Sequence, residues 1–209
     1  MILVKYSKLN GAEFIPHLDT LKHLGKIIRR TGINVEYSQG FNPHMLIYMS
    51  SPVPLGLKTK AEYALITTNE TPTDFATLFN NCSLRGLRCE EVFFTDKKLN
   101  IANDITSAIY HISGLNKFDV NDILNSEEFV VPDRKVGEKQ VRDKILSLKF
   151  ENDVLIAHLK CGNETLRIDS FTSKLISLYG GDLVNVVKND VRFLNNISVQ
   201  DYIKEKNNI

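Results

Sequence analysis

The segment PHLDTLKHLGKIIRRT, residues 16–31, has the period of an amphipathic helix, and the predicted fold is built around it. At about 100° per residue, its apolar positions fall on one side of a helix. These positions are Leu18, Leu21, Leu24, Gly25 and Ile28. Gly32 follows, where a glycine commonly ends a helix. The pattern predicts a helix over residues 16–31 that packs its apolar side on a sheet.

Strand patterns surround this helix in the first half of the chain. Ile33, Val35 and Tyr37 alternate with polar residues, as in a half-buried strand. Thr71 is expected to cap a second helix, with Pro72 at its first helical position. The predicted strands cover residues 2–6, 33–37, 45–49, 62–68 and 88–94. The first half therefore follows the order strand, helix, strand, strand, helix, strand.

The same order recurs in the second half. Asp119 and Asp169 are expected to cap helices, and Gly180 with Gly181 is expected to end the second of them. Residues 125–145 give no firm pattern. The predicted strands cover residues 107–113, 146–150, 154–160 and 184–193.

The repeated order predicts an α+β protein made of two tandem ferredoxin-like halves with antiparallel sheets. The expected domains are residues 1–95 and 107–193. Residues 95–106 are predicted to be a linker and residues 194–209 a C-terminal tail. A single larger α+β domain is the alternative.

Composition is that of a soluble globular protein, with a net charge of +1 and 43% hydrophobic residues. No apolar run approaches the roughly 18 residues of a membrane span, and the first residues lack the order of a signal peptide. We expect a cytoplasmic protein without a membrane partner. The cysteines are scattered and form neither CxxC nor CxxxCxxC, and no nucleotide-binding or hydrolase motif is present. The sequence therefore predicts no metal site and no cofactor, and it favours a protein that is not an enzyme.

The sequence YSQGFNPH, residues 37–44, is more elaborate than a chain reversal requires. Gly40 allows a positive φ, and the proline after Asn42 favours extended geometry there, so the loop presents its polar side chains in a defined way. We predict a ligand-binding surface made by Gln39, Gly40, Asn42, His44 and, on a later strand, Glu62. The alternative is an ordered turn whose side chains bond their own backbone.

The first predicted helix carries a further set of candidates. His17 and Asp19 lie in its first turn, and either could act with His44 in acid–base chemistry, although His17 could equally be a core residue. A stripe of cations on the opposite face could contact phosphates of a nucleic acid, or it could be an ordinary solvated face. The stripe consists of Lys22, Lys26, Arg29 and Arg30.

Several blocks of the chain together resemble the radical SAM-linked protein family, a bacterial domain of unknown function. Members occur beside, or fused to, cobalamin-binding radical SAM proteins. The blocks are residues 14–19, 28–32, 37–44, 51–56 and 61–63. The chain departs from the family pattern at Pro16, at Met45 and Leu46, where a proline and a cation usually follow the Asn-Pro-His, and at Lys58 and Lys60, where acidic residues are common.

The resemblance implies a radical SAM protein as partner. RNA is suggested as a further partner by the ferredoxin-like order, which is common in RNA binders, and by the cation stripe. The first hypothesis is a non-catalytic accessory protein of a radical SAM enzyme system that serves RNA modification and binds the RNA or the enzyme. The second is a metal-independent RNA-processing enzyme of the tandem ferredoxin-like endoribonuclease type. The third is a pure protein-interaction scaffold. The oligomeric state is left open by the sequence.

Overall fold

The computed structural model describes residues 1–207, apart from the side chain of Asn163. It is an α+β structure that divides into two compact units. The first unit contains Met1–Asp104 and the described residues from Ile197 onward, and the second contains Ile105–Asn196.

Helices and strands are interspersed along the chain. The helices are α1 (His17–Thr31), α2 (Phe75–Cys82), α3 (Ile101–Asp104), α4 (Asn121–Leu124), α5 (Ile168–Tyr179) and α6 (Val199–Asn207). The strands are β1 (Ile2–Lys8), β2 (Ile47–Met49), β3 (Lys58–Ile66), β4 (Leu87–Phe94), β5 (Ile105–Leu115), β6 (Val130–Asp133), β7 (Gly137–Gln140), β8 (Ile145–Glu151), β9 (Val154–Lys160) and β10 (Gly181–Phe193). Short 3₁₀ turns lie at Ala12–Phe14, Arg142–Lys144, Gly162–Glu164 and Leu194–Asn196.

The first unit holds an antiparallel sheet in the order β4-β1-β3-β2. The register places Tyr6 of β1 opposite Glu62 of β3. Apolar residues of β1 and β3 form one core with α1 and α2, because the alternating strand positions meet the apolar stripe of each helix. This core includes Ile2, Val4, Leu24, Ile27, Ile28, Ala64, Ile66, Phe75 and Phe79.

The second unit has an antiparallel sheet in the order β10-β5-β9-β8, with β6 and β7 as a separate hairpin. Helix α5 buries Phe171 and Leu175, and the Phe171 ring lies 5.9 Å from the ring of Phe129, just before β6. The hairpin lies within residues 125–145, where no firm pattern was found in the sequence. Its strands are short, and β7 is fully exposed, so no alternation marked them in advance.

Several predicted elements differ from the structure. Residues 33–37 do not form a strand, since their pairing is limited to a bridge between Tyr37 and Met45 and its flanking hydrogen bonds. The second helix begins at Phe75 rather than at Pro72, because the Phe75 N–H donates to the Pro72 carbonyl in a turn that precedes the helix.

The segments predicted as linker and tail contain helices. Residues 101–104 form α3, with Leu99 and Ile101 buried. Residues Val199–Asn207 form α6, which buries Val199, Tyr202 and Ile203 at helical spacing in the first unit. The Tyr202 hydroxyl donates to Asp104 Oδ2 at 2.6 Å. Within residues 1–207, no helix is long and apolar enough to cross a bilayer.

Candidate functional site

The loop at residues 37–44 projects from a clamped stem. The Ser38 N–H donates to the His44 carbonyl at 2.9 Å, and the His44 N–H donates to Ser38 Oγ at 3.1 Å. Ser38 Oγ also lies 2.8 Å from His44 Nδ1. Next to this clamp, the backbones of Tyr37 and Met45 form an isolated antiparallel β-bridge. The side chain of His44 therefore helps to hold the loop closed. The bond from its N–H to Ser38 Oγ is of the kind expected for an ordered turn whose side chains bond the backbone.

The tip of the loop is exposed. Gln39, Asn42 and Pro43 are all exposed, and Phe41 is completely so. Gly40 has a φ of 122°, a conformation that a residue with a Cβ rarely adopts. None of these side chains contributes to the core, so the tip is available for contact with a ligand.

The base of the loop rests on helix α1. Met45 packs against the core of the first unit, and its Sδ lies 4.0 Å from the position that a Cβ on Gly25 would occupy. At about 100° per residue, Arg29 and Lys22 lie only about 40° and 60° around the helix from Gly25. The contact thus places the stem of the loop beside the face that carries the cations.

The cation stripe is exposed along its whole length, at Lys22, Lys26, Arg29 and Arg30. Lys22 Nζ lies 2.9 Å from Asp19 Oδ1. This hydrogen bond and the charge of Lys22 lower the pKa of the Asp19 carboxyl. In the described part of the chain, the other three cations form no ion pair. Asp19 therefore neutralises one end of the stripe and leaves three charges for an anionic ligand.

A second polar site lies beneath the start of α1. His17 and Glu62 line it together, as do Tyr6, Lys8, Thr20, Met49 and Val53. The space between them is about 10 Å³, which is close to what one water molecule needs. In its present form the pocket holds no room for a substrate.

The pocket contains buried charges. Glu62 is 3% exposed and accepts hydrogen bonds from Ser50 Oγ at 3.3 Å and Thr59 Oγ1 at 3.1 Å. Lys8 is 5% exposed and donates to the Ile15 carbonyl at 2.7 Å. Burial lowers the pKa of Lys8, and the charge of Glu62 partly opposes this.

The same burial acts on the neighbouring tyrosine. It raises the pKa of the Tyr6 hydroxyl, and the Glu62 carboxylate raises that pKa further. Tyr6 therefore stays protonated throughout the physiological range.

The structure brings together some of the predicted residues. His17 and Glu62 meet at the pocket. Among residues 1–207, no recorded contact joins His17 to His44, and Asp19 is engaged by Lys22. The described residues also contain no group of three or more His, Cys, Asp or Glu side chains that could hold a metal ion.

Sequence reasoning missed Lys8 and Tyr6. Tyr6 ends the strand predicted for residues 2–6, and Lys8 lies beyond it, where a lysine is usually solvated. Thr59 and Glu62 are three residues apart and would point to opposite faces of a regular strand. They meet because the register of β1 and β3 shifts between Tyr6 and Lys8, and no local pattern in the sequence marks that shift.

These features define an α+β protein whose polar loop, cationic helix face and buried charged pocket all lie in its first unit. The chain belongs to a conserved bacterial family, because the family model described as "Uncharacterized protein conserved in bacteria (DUF2344)" matches residues 1–168. The match covers the whole of β1 to β9 and ends at the first residue of α5. No curated protein matches the chain.

Proposed function

We propose that this protein is a non-catalytic accessory component of a radical SAM enzyme system and that it binds the RNA substrate. The observation that carries the proposal is the packing of Met45 on α1, where its Sδ lies 4.0 Å from the position that a Cβ on Gly25 would occupy. It holds the stem of a loop with an exposed aromatic residue against the helix that carries the row of exposed cations. An aromatic ring and cations side by side are the elements of a single-stranded nucleic acid site.

The two surfaces suit different parts of an RNA strand. The Phe41 ring offers a face on which an unpaired base can stack, and such stacking contributes about 1–3 kcal/mol per base. Gln39 and Asn42, on either side, carry amide groups that can bond to base edges. Lys26, Arg29 and Arg30 are free to contact phosphates. The clamp between Ser38 and His44 fixes the loop before binding and so reduces the entropy lost on association.

We further propose that each unit is a ferredoxin-like half. In the first unit, the element order β1-α1-β2-β3-α2-β4 with the sheet order β4-β1-β3-β2 supports this assignment. In the second unit, β5, α4, β8, β9, α5 and β10 follow the same order, with the β6–β7 hairpin inserted. This architecture is common among RNA-binding proteins, which agrees with the proposed role.

The radical SAM partner is proposed from the family resemblance. The sequence lacks the CxxxCxxC of such enzymes, and Cys82, Cys89 and Cys161 are dispersed. The chain would therefore depend on a separate cytoplasmic enzyme for the reaction. Co-expression with a neighbouring radical SAM protein should give a complex, and the isolated chain should leave its RNA unmodified.

The RNA-binding role is tested by removing the exposed ring. We expect Phe41→Ala to weaken binding of a single-stranded RNA about 5- to 150-fold, which corresponds to about 1–3 kcal/mol, in filter-binding titrations. Phe94→Ala is the matched control, since Phe94 is also an exposed phenylalanine of the first unit. Equal affinities for the two variants would contradict the proposal, and absence of any RNA binding would favour the protein scaffold.

Cleavage of RNA is not part of the proposal. Acid–base cleavage would need His17 and His44 at one phosphate, whereas His17 lines the pocket and His44 is bonded to Ser38. The length of bound RNA should stay unchanged on incubation. Shortened products that disappear in the His44→Ala variant would support the endoribonuclease hypothesis instead.

A further inference from the structure

Strand β2 is paired on one side only in the part of the chain that the structure describes. Thr67 donates its N–H to the Leu46 carbonyl at 3.0 Å, and Ser50 donates to the Tyr63 carbonyl at 2.9 Å. Peptide groups of alternate residues point to opposite sides of a strand. Those of Ile47 and Met49 therefore point away from β3.

The outward side of β2 offers a defined set of hydrogen-bonding groups. The Ile47 N–H is already bonded to the Met45 carbonyl at 3.0 Å. Within residues 1–207, no partner is recorded for the Ile47 carbonyl or for the N–H and carbonyl of Met49. One donor and two acceptors thus remain along this edge, spaced for a further strand.

A groove lies directly beside this edge. It is lined by Ile47, Tyr48 and Met49 on the strand and by residues 98–102 on the other side. Its volume is about 620 Å³, within the range of about 300–1,000 Å³ that is usual for binding sites. Leu99 and Ile101 are buried and give the groove an apolar lining.

Two lysines beside the groove favour a ligand with an acidic residue. Lys98 Nζ lies 4.2 Å from the centre of the Tyr48 ring and donates to its hydroxyl at 3.1 Å. Lys97 is exposed next to it. Lysines at a sheet edge disfavour pairing of the edge with a second copy of itself, because the like charges would meet. The same charges attract an acidic side chain.

We propose that the edge of β2 and this groove bind an extended peptide segment of a partner protein, which adds to the sheet as a strand. The segment forms backbone hydrogen bonds to Ile47 and Met49 and carries an acidic residue opposite Tyr48, within reach of Lys98. Apolar residues on either side of that acid contact the groove lining. This mode of recognition takes its affinity from the main chain and its specificity from alternate side chains. The inference is independent of RNA binding at the loop.

The experiment uses a phage-displayed library of random 12-residue peptides, selected on the full-length protein. The strongest binder is synthesised with a fluorophore and titrated by anisotropy. We expect selected sequences with an acidic residue between β-forming residues. Lys98→Glu should weaken binding at least about tenfold, whereas Lys60→Glu, the same change at another exposed lysine of the first unit, should leave it unchanged.

The backbone contribution is tested on both partners. Met49→Pro removes the outward N–H and keeps the bonds to β3, so it should weaken binding at least about tenfold. Single N-methylation along the peptide tests the same bonds on the unaltered protein, which avoids any loss of folding. We expect binding to be lost at two positions separated by one tolerated position, because only alternate residues of an added strand face β2.

Two results would overturn the proposal. The first is a set of binders whose affinity is insensitive to N-methylation or to Lys98→Glu. The second is a dimer of the protein, detected by light scattering, that dissociates in the Met49→Pro variant, since the occupant of the edge would then be a second copy of the chain.

Discussion

Removal of the unpaired cations on α1 should change the salt dependence of RNA binding. The variant Lys26→Ala, Arg29→Ala, Arg30→Ala removes the stripe members that form no ion pair among the described residues. Lys22 is kept because Asp19 already neutralises it at 2.9 Å. Each lost phosphate contact to a single strand lowers the slope of log affinity against log salt by about 0.7.

The expected change follows from these three contacts. The slope should become shallower by up to about 2.1 in the triple variant. Between about 50 and about 200 mM salt, the affinity of the unaltered protein should therefore fall about 20-fold more than that of the variant. Asp19→Asn provides the opposite change, because it frees Lys22 and should steepen the slope by up to about 0.7.

The assay is filter binding of a single-stranded RNA across a salt series, with a melting curve for each protein. The control is Arg134→Ala, Lys135→Ala, Lys139→Ala, which removes equal charge from the exposed β6–β7 hairpin of the second unit. It separates contact on α1 from the effect of net charge. Identical slopes for the two triple variants would refute the reasoning and remove α1 from the RNA surface.

Three further outcomes are expected. Ser38→Ala should speed amide hydrogen exchange at residues 38 and 44, whose N–H groups close the loop. The free energy of unfolding should change by no more than about 1 kcal/mol, because only the exposed clamp to His44 is lost; unchanged exchange would contradict this. Lys8→Met should lower the free energy of unfolding, measured in urea, by about 1.5–3 kcal/mol, because the charged hydrogen bond to the Ile15 carbonyl is lost. A variant more stable than the unaltered protein would contradict this prediction. Burial raises the pKa of the Cys89 thiol to about 12, so the reactive thiolate increases about tenfold per pH unit below that value. The rate of Cys89 alkylation by iodoacetamide, measured by mass spectrometry, should therefore rise about tenfold per pH unit from about pH 7 to about pH 10. A rate that levels off below about pH 10 would disprove the shift.

Sequence patterns within one segment predicted the elements whose structure depends mainly on that segment, such as α1. Helix α1 was predicted for residues 16–31 and occupies His17–Thr31, ending at Gly32 with a φ of 79°. Its helical period and its terminal glycine are both readable within one stretch of sequence. The predicted packed side was wrong in part, because Leu18 is 69% exposed whereas Thr20 and Ile27 are buried. The α+β class followed from the same kind of signal, because the two-residue alternation of a strand and the 3.6-residue period of a helix give different patterns over a whole element.

Features set by distant contacts could not be predicted. Glu62 and His17 were both candidates, yet their meeting depends on the pairing of β1 with β3, which places Tyr6 opposite Glu62. The burial of Lys8 depends on the turn that aims the Ile15 carbonyl at its ammonium group. Helix α6 was readable in principle from the spacing of its buried residues, but its polar remainder made the segment resemble a tail.

Changes at the buried pocket and changes at the loop and α1 should affect different measured properties of the first unit. An apolar pair in place of Lys8 and Glu62 would often fold equally well, so stability alone does not account for the buried charges. Three blocks that carry the family resemblance each place a residue at this pocket, namely His17, Val53 and Glu62. The loop at residues 37–44 instead rests on α1 through Met45. Changes at Lys8 should therefore alter the free energy of unfolding without altering the salt slope, whereas changes at Lys26, Arg29 and Arg30 should do the reverse, because exposed cations contribute little to stability.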